Sequence, residues 1–319
     1  RTEIRDRPQE VPEVPQMRLS DTPSKTETMS TTYTPADYRN SQKARWCPGC
    51  GDYGIQNAIS AVCAKKGWAN EDITLISGIG CSSRIGGYQY CYGAHTTHGR
   101  ALPFAQGIKC ANKDQHMIVC SGDGDSYAIG LGHAMHAIKR NMDITYLVFD
   151  NQVYGLTKGQ TSPASDKGFV TKTTPDGNPL TPLDAPAMAL AAGATFVAQA
   201  YAIDSKTMIN VIERAVDHKG FSYVNIFTPC VTFNHLNTVQ WYNEHLVKME
   251  DVAPDHDPSS KAAAYRLLGE TNSLVTGVIY EEKDSVAFGD IVPSKDVRLI
   301  DHVEKPSAEL FEDLCKEFR

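Results

Sequence analysis

Two apolar runs of this chain stop at polar residues suited to a metal-bound phosphate, and that pairing narrows the fold more than any other feature. Met117-Ile118-Val119-Cys120 leads into Ser121-Gly122-Asp123-Gly124, and Ile144-Thr145-Tyr146-Leu147-Val148-Phe149 leads into Asp150-Asn151-Gln152. Each run reads as a short buried strand, and a helical pattern over 127–140 separates them. Strand, helix, strand is a parallel crossover, whose two strand ends lie side by side at the carboxyl edge of a sheet, where open α/β folds take ligands. Asp123 and Asn151 then become adjacent oxygen donors of the kind Mg²⁺ uses when it also carries phosphate. Gly122 and Gly124 leave the backbone bare for close approach of a diphosphate.

The same alternation extends on both sides. A helical pattern covers 53–66, an apolar run at 73–76 opens into Ser77-Gly78-Ile79-Gly80-Cys81, and a short helix follows at 104–109. After a polar loop at 155–183, helices at 184–193 and 206–217 alternate with strands at 195–198 and 222–227. Strands and helices in turn over some 180 residues imply a doubly wound, mostly parallel α/β sheet. The expected division is an arm at 1–45, polar and Pro-rich with no core of its own, an α/β domain at 46–235, and an extension at 236–319. Within the extension, 251–260 reads as linker and 307–318 as an amphipathic helix.

A net charge of −7 argues against general nucleic-acid binding. No run approaches the roughly 18 consecutive apolar residues of a membrane span, and no apolar signal core is present, so the expectation is a cytoplasmic protein. Nine cysteines in such a chain suggest metal or redox chemistry more than disulfides.

Two of the nine stand in Trp46-Cys47-Pro48-Gly49-Cys50-Gly51. A lone CxxC is compatible with a redox dithiol, half a zinc site or half an iron–sulfur site. No strand precedes it, no second CxxC or HxxxH follows, and no ferredoxin-type cysteine run is present. Further thiol ligands must come from distant loops. Cys81 and Cys230, each just after an apolar run, are the candidates, although each alone is also consistent with an ordinary buried thiol. Cys63, Cys91, Cys110, Cys120 and Cys315 read as structural.

Gly-Asp-Gly followed by Asn, with 26 residues between Gly124 and Asn151, resembles the thiamine diphosphate motif. The resemblance implies Asp123, Asn151 and the carbonyl of Val153 as Mg²⁺ ligands. WCPGCG, GIGCSSR, HGRALPFAQGIK, GDGDSYAIGLGHAMHA, DNQVYGLTKGQTSP and TPC, in that order over 46–235, resemble the β subunit of a 2-oxoacid:ferredoxin oxidoreductase. That family implies one 4Fe–4S cluster on Cys47, Cys50, Cys81 and Cys230, beside the thiamine diphosphate. It implies coenzyme A-dependent oxidative decarboxylation of a 2-oxo acid, with ferredoxin as electron acceptor and CO₂ fixation in reverse. The Leu-Thr-Lys of DNQVYGLTKGQ resembles the 2-oxoglutarate enzymes more than the pyruvate enzymes.

Several further roles follow from position in these blocks. The amides of Gly155, Leu156 and Thr157, with the Thr157 hydroxyl, would hold the diphosphate. Arg84 stands where the family places a cation for the substrate carboxylate, a task suited to a guanidinium fork. His98 and Arg100 would contact cofactor or substrate. His133 and His136 read as helix packing, and Trp46 and Tyr53 as shields of the cluster. The glutamate that thiamine enzymes direct at the aminopyrimidine comes, in this family, from a partner chain. The expected enzyme is therefore a half-site completed by an α subunit, in an assembly of two α and two β chains. Two alternatives remain open at this point. A non-oxidative thiamine decarboxylase subunit would not need four thiols, and a zinc-stabilised non-catalytic subunit would not need Asp123 and Asn151.

Overall fold

In the computed structural model, residues 32–302 and 307–317 are described. The elements follow the expected alternation. They begin with α1 (Asp52–Lys66), β1 (Ile73–Ser77), β2 (Tyr92–His95), α2 (Ala101–Ala111), β3 (His116–Gly122), α3 (Leu131–Lys139) and β4 (Ile144–Asp150). A small hairpin, β5 (Val153–Tyr154) and β6 (Gln160–Thr161), precedes α4 (Ala185–Ala192), β7 (Phe196–Tyr201), α5 (Ser205–Asp217) and β8 (Phe221–Phe227). The extension contributes α6 (Val239–His245), β9 (Val247–Lys248), α7 (Met249–Val252), α8 (Lys261–Glu270), β10 (Val275–Glu281), α9 (Phe288–Ile291) and α10 (Ala308–Glu317).

Eight strands form one sheet in the order β2-β1-β3-β4-β8-β7-β10-β9. Strands β2, β1, β3, β4, β8 and β7 pair in parallel. The central strands are buried on both faces, which is why β4 (ITYLVFD) and β8 (FSYVNIF) read as unbroken apolar runs. One face is packed by a core that includes Leu102, Ala134, Ile138 and Leu190 from α2, α3 and α4. The other is packed by Ile55, Ile59 and Val62 of α1 with Met208, Val211 and Ile212 of α5. Asp204 caps α5 by accepting from the Thr207 amide at 3.1 Å, and Gly67, at φ +65°, ends α1 in the left-handed conformation. Among the described residues no helix is long and apolar enough to cross a membrane.

Two expectations change. The arm was expected to lack a core up to residue 45, yet the packed body takes in residues from Tyr33 onward. Tyr38 is buried, and its hydroxyl donates to the carbonyls of Cys63 (3.0 Å) and Trp68 (2.7 Å) at the end of α1. Residues 1–31, the rest of that arm, lie outside the described residues. The stretch after 260 was placed in an extension outside the α/β domain, yet β10 pairs antiparallel with β7 inside the main sheet, and α8 packs Ala264, Leu267 and Leu268 on the same core as α4. The terminal helix is present as α10; Phe318, expected in it, lies outside the described residues.

Because Ile279 of β10 is fully buried, Ile279→Ala should cost about 2–5 kcal/mol. Val286→Ala, at a half-exposed position, should stay within about 0.5 kcal/mol. Denaturant unfolding of the two variants checks whether the extension belongs to the cooperative core.

Candidate active site

Four adjacent strands, β1, β3, β4 and β8, release their chains at one edge of the sheet, and each delivers a residue singled out above. Cys81 follows β1, Asp123 follows β3, Asn151 follows β4 and Cys230 follows β8. Gly122 stands opposite Phe149 in the β3–β4 register, so the turns carrying Asp123 and Asn151 start at almost the same height. The Thr228 amide donates to the Asp150 carbonyl at 2.8 Å and ties the loop bearing Cys230 to that same height.

The CxxC turn is seated on this edge from the side. Cys50 N–H closes the turn onto the Cys47 carbonyl at 3.0 Å, with Gly49 at φ +83°. Gly51 is pressed against the loop after β8: a Cβ there would lie 2.9 Å from Thr228 Cγ2 and 3.0 Å from Ala202 Cβ. The indole of Trp46 donates to the Cys81 carbonyl at 2.7 Å and packs edge-on against Tyr53 and Tyr88. Trp46 thus fastens two of the thiol-bearing loops together, a stronger role than the shielding read from sequence.

Cys81 and Cys230 approach one another at Gly155. Burial pushes the Cys50 thiol above its ordinary range, and Asp52, Cys230 and Cys81 add to the shift. Burial lifts Cys81 to about 11, with Asp52, Cys230 and Cys47 as further contributors and Arg84 opposing them. Cys47 is exposed, whereas Cys50, Cys81 and Cys230 are partly buried. Gly155 stands where the thiols meet the metal edge. A Cβ on it would lie 3.4 Å from Cys81 Sγ, 3.9 Å from Cys230 Sγ and 4.0 Å from Asn151 Nδ2.

At the edge formed by β3 and β4, Asp123 is 1% exposed and takes a short hydrogen bond from the Ser162 hydroxyl. Burial and the neighbouring Asp150 carboxylate both raise its pKa, a penalty that a bound cation removes. Asn151 Oδ1 accepts from the Val153 amide at 3.1 Å, across Gln152 in the left-handed region at φ +57°. That strained turn, held by Ser165 Oγ on the Gln152 carbonyl at 2.5 Å, sets the direction of the backbone at Val153. Gly124 lies under Tyr154, whose hydroxyl donates to the Gly124 carbonyl at 3.1 Å; a Cβ at Gly124 would fall 2.2 Å from the Tyr154 ring. A carboxylate, a carboxamide and a carbonyl form the hard oxygen set that Mg²⁺ prefers.

Sequence reasoning passed over Asp125, which anchors the edge. Its Oδ1 accepts from the amides of Gly99 (2.7 Å) and Ile79 (3.1 Å) and lies 2.5 Å from His98 Nδ1, while Oδ2 takes a short bond from Ser121. One buried carboxylate therefore joins the loop after β1, the loop before α2 and the end of β3. The available signal was the fourth residue of Gly-Asp-Gly-Asp, a carboxylate too many for the metal alone.

The remaining candidates lie around this edge. Arg84 is exposed on the short turn after Cys81, and His98 is held by Asp125 with its side chain 40% exposed. Arg100 contacts Nε2 of His133 instead of a neighbour at the metal edge. Leu156 and Thr157 sit exposed on the β5–β6 hairpin, and the Thr157 hydroxyl is bonded to Gln160 Oε1 at 2.5 Å.

Comparison with known proteins fits this geometry. Residues 78–226 match the thiamine pyrophosphate enzyme C-terminal TPP-binding domain, and residues 230–296 match the C-terminal part of the pyruvate ferredoxin oxidoreductase β subunit. The second match spans much of the extension, including β10. A 2-oxoacid:ferredoxin oxidoreductase β subunit from a Sulfolobus species is 40% identical over 78% of this chain and 79% of its own length. The 2-oxoglutarate oxidoreductase subunit KorB of Mycobacterium tuberculosis is 46% identical over 62% of this chain and 53% of its own. A solved 2-oxoglutarate:ferredoxin oxidoreductase from Magnetococcus marinus, with 2-oxoglutarate, coenzyme A and succinyl-CoA bound, superposes with a TM-score of 0.79 at 35% identity. That likeness covers 91% of this chain and 98% of the solved one.

Asp52 offers a test of the buried edge. Burial lifts its carboxyl from 3.8 to about 7, so between those values the folded chain holds a proton that the unfolded chain releases. Raising the pH through this window destabilises the cofactor-free fold, and Asp52→Asn escapes the loss. The variant's advantage should grow from pH 4 to pH 7, reach about 2–4 kcal/mol and level off above, as read by urea unfolding of the cofactor-free protein at several pH values.

Proposed function

The chain belongs to the β subunits of the 2-oxoacid:ferredoxin oxidoreductases, and from that membership we propose that it carries the thiamine diphosphate and electron-transfer half of a 2-oxoglutarate:ferredoxin oxidoreductase. The reaction is the coenzyme A-dependent oxidative decarboxylation of 2-oxoglutarate to succinyl-CoA and CO₂, with single electrons passed to ferredoxin; run in reverse it fixes CO₂. The names of the relatives support the substrate, since KorB subunits of 2-oxoglutarate enzymes recur among them. The observation that carries the reading is the position of Gly155, in contact range of two of the four thiols and of Asn151. A cluster and a thiamine site at this edge would share one wall, and electrons would cross it directly.

In this assignment Asp123, Asn151 and the Val153 carbonyl hold Mg²⁺, and the backbone of Gly122 and Gly124 flanks the diphosphate that the ion carries, with Tyr154 filling the space a side chain at Gly124 would take. The amides of Gly155, Leu156 and Thr157 complete its cradle. Thiamine diphosphate supplies the electron sink that a departing carboxylate requires. Cys47, Cys50, Cys81 and Cys230 hold a 4Fe–4S cluster. Arg84 pairs with a substrate carboxylate, and His98 and Arg100 line the approach. Asp125 fixes the His98 ring by its Nδ1, which leaves Nε2 facing outward to exchange a proton with a bound molecule. The pyrimidine side is covered by an α subunit, which supplies the glutamate, in an α2β2 enzyme of the cytoplasm.

A zinc-stabilised subunit without catalysis would have no use for Asp123 and Asn151, which stand at the same sheet edge as Cys81 and Cys230. The non-oxidative alternative leaves Cys47, Cys50, Cys81 and Cys230 without a task.

Iron and acid-labile sulfide in the anaerobically purified α–β enzyme should each come to about four per β chain; zinc or no metal overturns the assignment. Cys81→Ser should lose iron and retain thiamine diphosphate. Asp123→Ala should retain iron and lose thiamine diphosphate affinity on the order of 100-fold or more, as measured by calorimetry. Among a panel of 2-oxo acids, 2-oxoglutarate should drive coenzyme A-dependent dye reduction fastest.

A further inference from the structure

Acidic residues outnumber basic ones in this chain by seven, yet the charge is unevenly distributed. Between Tyr38 and Lys113 the only carboxylates are Asp52, Glu71 and Asp72, and Asp52 is buried. The stretch leading into the CxxC turn carries Arg39, Lys43 and Arg45, all exposed, with no carboxylate within it. None of the three forms an ion pair among the described residues; Arg39 instead donates to the Asn57 side chain at 2.5 Å. By contrast, Lys65 and Lys66 at the far end of α1 are neutralised by Glu213 and Asp217.

These cations are held in place. Asn40 Nδ2 donates to the carbonyls of Gly87 (2.9 Å) and Gln89 (3.2 Å), Arg39 bridges to Gln89, and the Arg45 amide donates to the Tyr88 hydroxyl at 3.1 Å. Beside them the CxxC turn itself reaches the surface: Cys47, Pro48 and Gly49 are exposed. Val231, 43% exposed, packs on Gly49 at 3.7 Å to the position of its Cβ and adds an apolar centre. Asp37, the carboxylate just before the three cations in sequence, is tied to Thr34; exposed cations beside a small apolar centre are the anatomy of a transient, electrostatically steered interface.

We propose that the surface formed by Arg39, Lys43, Arg45, Cys47–Gly49 and Val231 docks a small acidic one-electron carrier protein. It would present that carrier to the corner of the thiol site where Cys47 emerges. The inference rests on the reading given under Proposed function, in which the carrier is ferredoxin. The unpaired positive rim selects a partner with a complementary acidic face, and the exposed turn shortens the path that an electron must cross. The rim lies on the arm segment that precedes the domain expected from sequence, which gives the packing of Tyr33–Arg45 on α1 a purpose beyond stability.

The test uses the assembled α–β enzyme with the double substitution Lys43→Glu/Arg45→Glu. Substrate-driven reduction is measured with an acidic 2[4Fe–4S] ferredoxin and, separately, with methyl viologen. At low ionic strength the KM for ferredoxin should rise about tenfold or more, and the wild-type decline of kcat/KM with added salt should flatten. The methyl viologen rate should stay within about twofold of wild type, since exposed charges away from packed sites affect stability little. The Lys43→Arg/Arg45→Lys variant, which keeps the charge, should behave as wild type. An unchanged ferredoxin KM, or loss of α–β assembly in the charge-reversed variant, overturns the surface; the latter would show that the face is buried under the α partner. A wild-type enzyme that reduces neither acceptor overturns the functional reading and the surface together.

Discussion

The parallel pairing of β3 with β4 is the contact on which the rest of the site depends. It sets Gly122 opposite Phe149, and a slip of one residue would turn every side chain of a strand to the opposite face. Burial of both faces of both strands excludes that slip, because the alternating side chains fill two separate cores. Asp123 and Asn151 therefore emerge together, and β1 and β8, paired on the two flanks, bring Cys81 and Cys230 to the same edge. The chemistry is assembled by hydrogen-bond register before any side chain of the site makes a contact.

Local devices then refine what register makes approximate. Asp125 draws two loops and the end of β3 onto one carboxylate, Trp46 stitches the CxxC turn to the Cys81 loop, and Gln152 accepts a left-handed backbone to turn Asn151 toward Val153. Glycine matters at the two places where a side chain would obstruct. Gly124 is covered by Tyr154, and Gly155 leaves the space between thiols and metal edge unfilled. Buried carboxylates and raised thiols at one edge are costly in a cofactor-free protein, and cationic groups bound there would relieve both.

The crossover unit, the element alternation and the site loops were legible because strands buried on both faces read as apolar runs ending at polar turns. What escaped was decided by tertiary contact. The strand β10 carries Gly277 at φ +134° and a register shift between Val278 and Tyr280; its place beside β7 comes from packing, and no local pattern announces it. Tyr38 stands in a polar stretch, and its place in the core comes from tertiary contact, with the two carbonyls at the end of α1 and the apolar cluster that it joins. Asp125 was hidden by its own motif, since a second carboxylate three residues after Gly122 reads as part of the metal site until its partners are known. Thr157 shows the converse: the motif suggested a diphosphate contact, and in the structure its hydroxyl turns to Gln160 on an exposed hairpin.

In the proposed enzyme four thiols from three loops hold one iron–sulfur cluster against the thiamine site. The most direct measurement is anomalous diffraction at the iron edge from crystals of the α–β enzyme grown without oxygen. A compact iron peak should appear bonded to the sulfurs of Cys47, Cys50, Cys81 and Cys230, next to Gly155. A single metal at the zinc edge, or iron bound elsewhere with these thiols free, would contradict it.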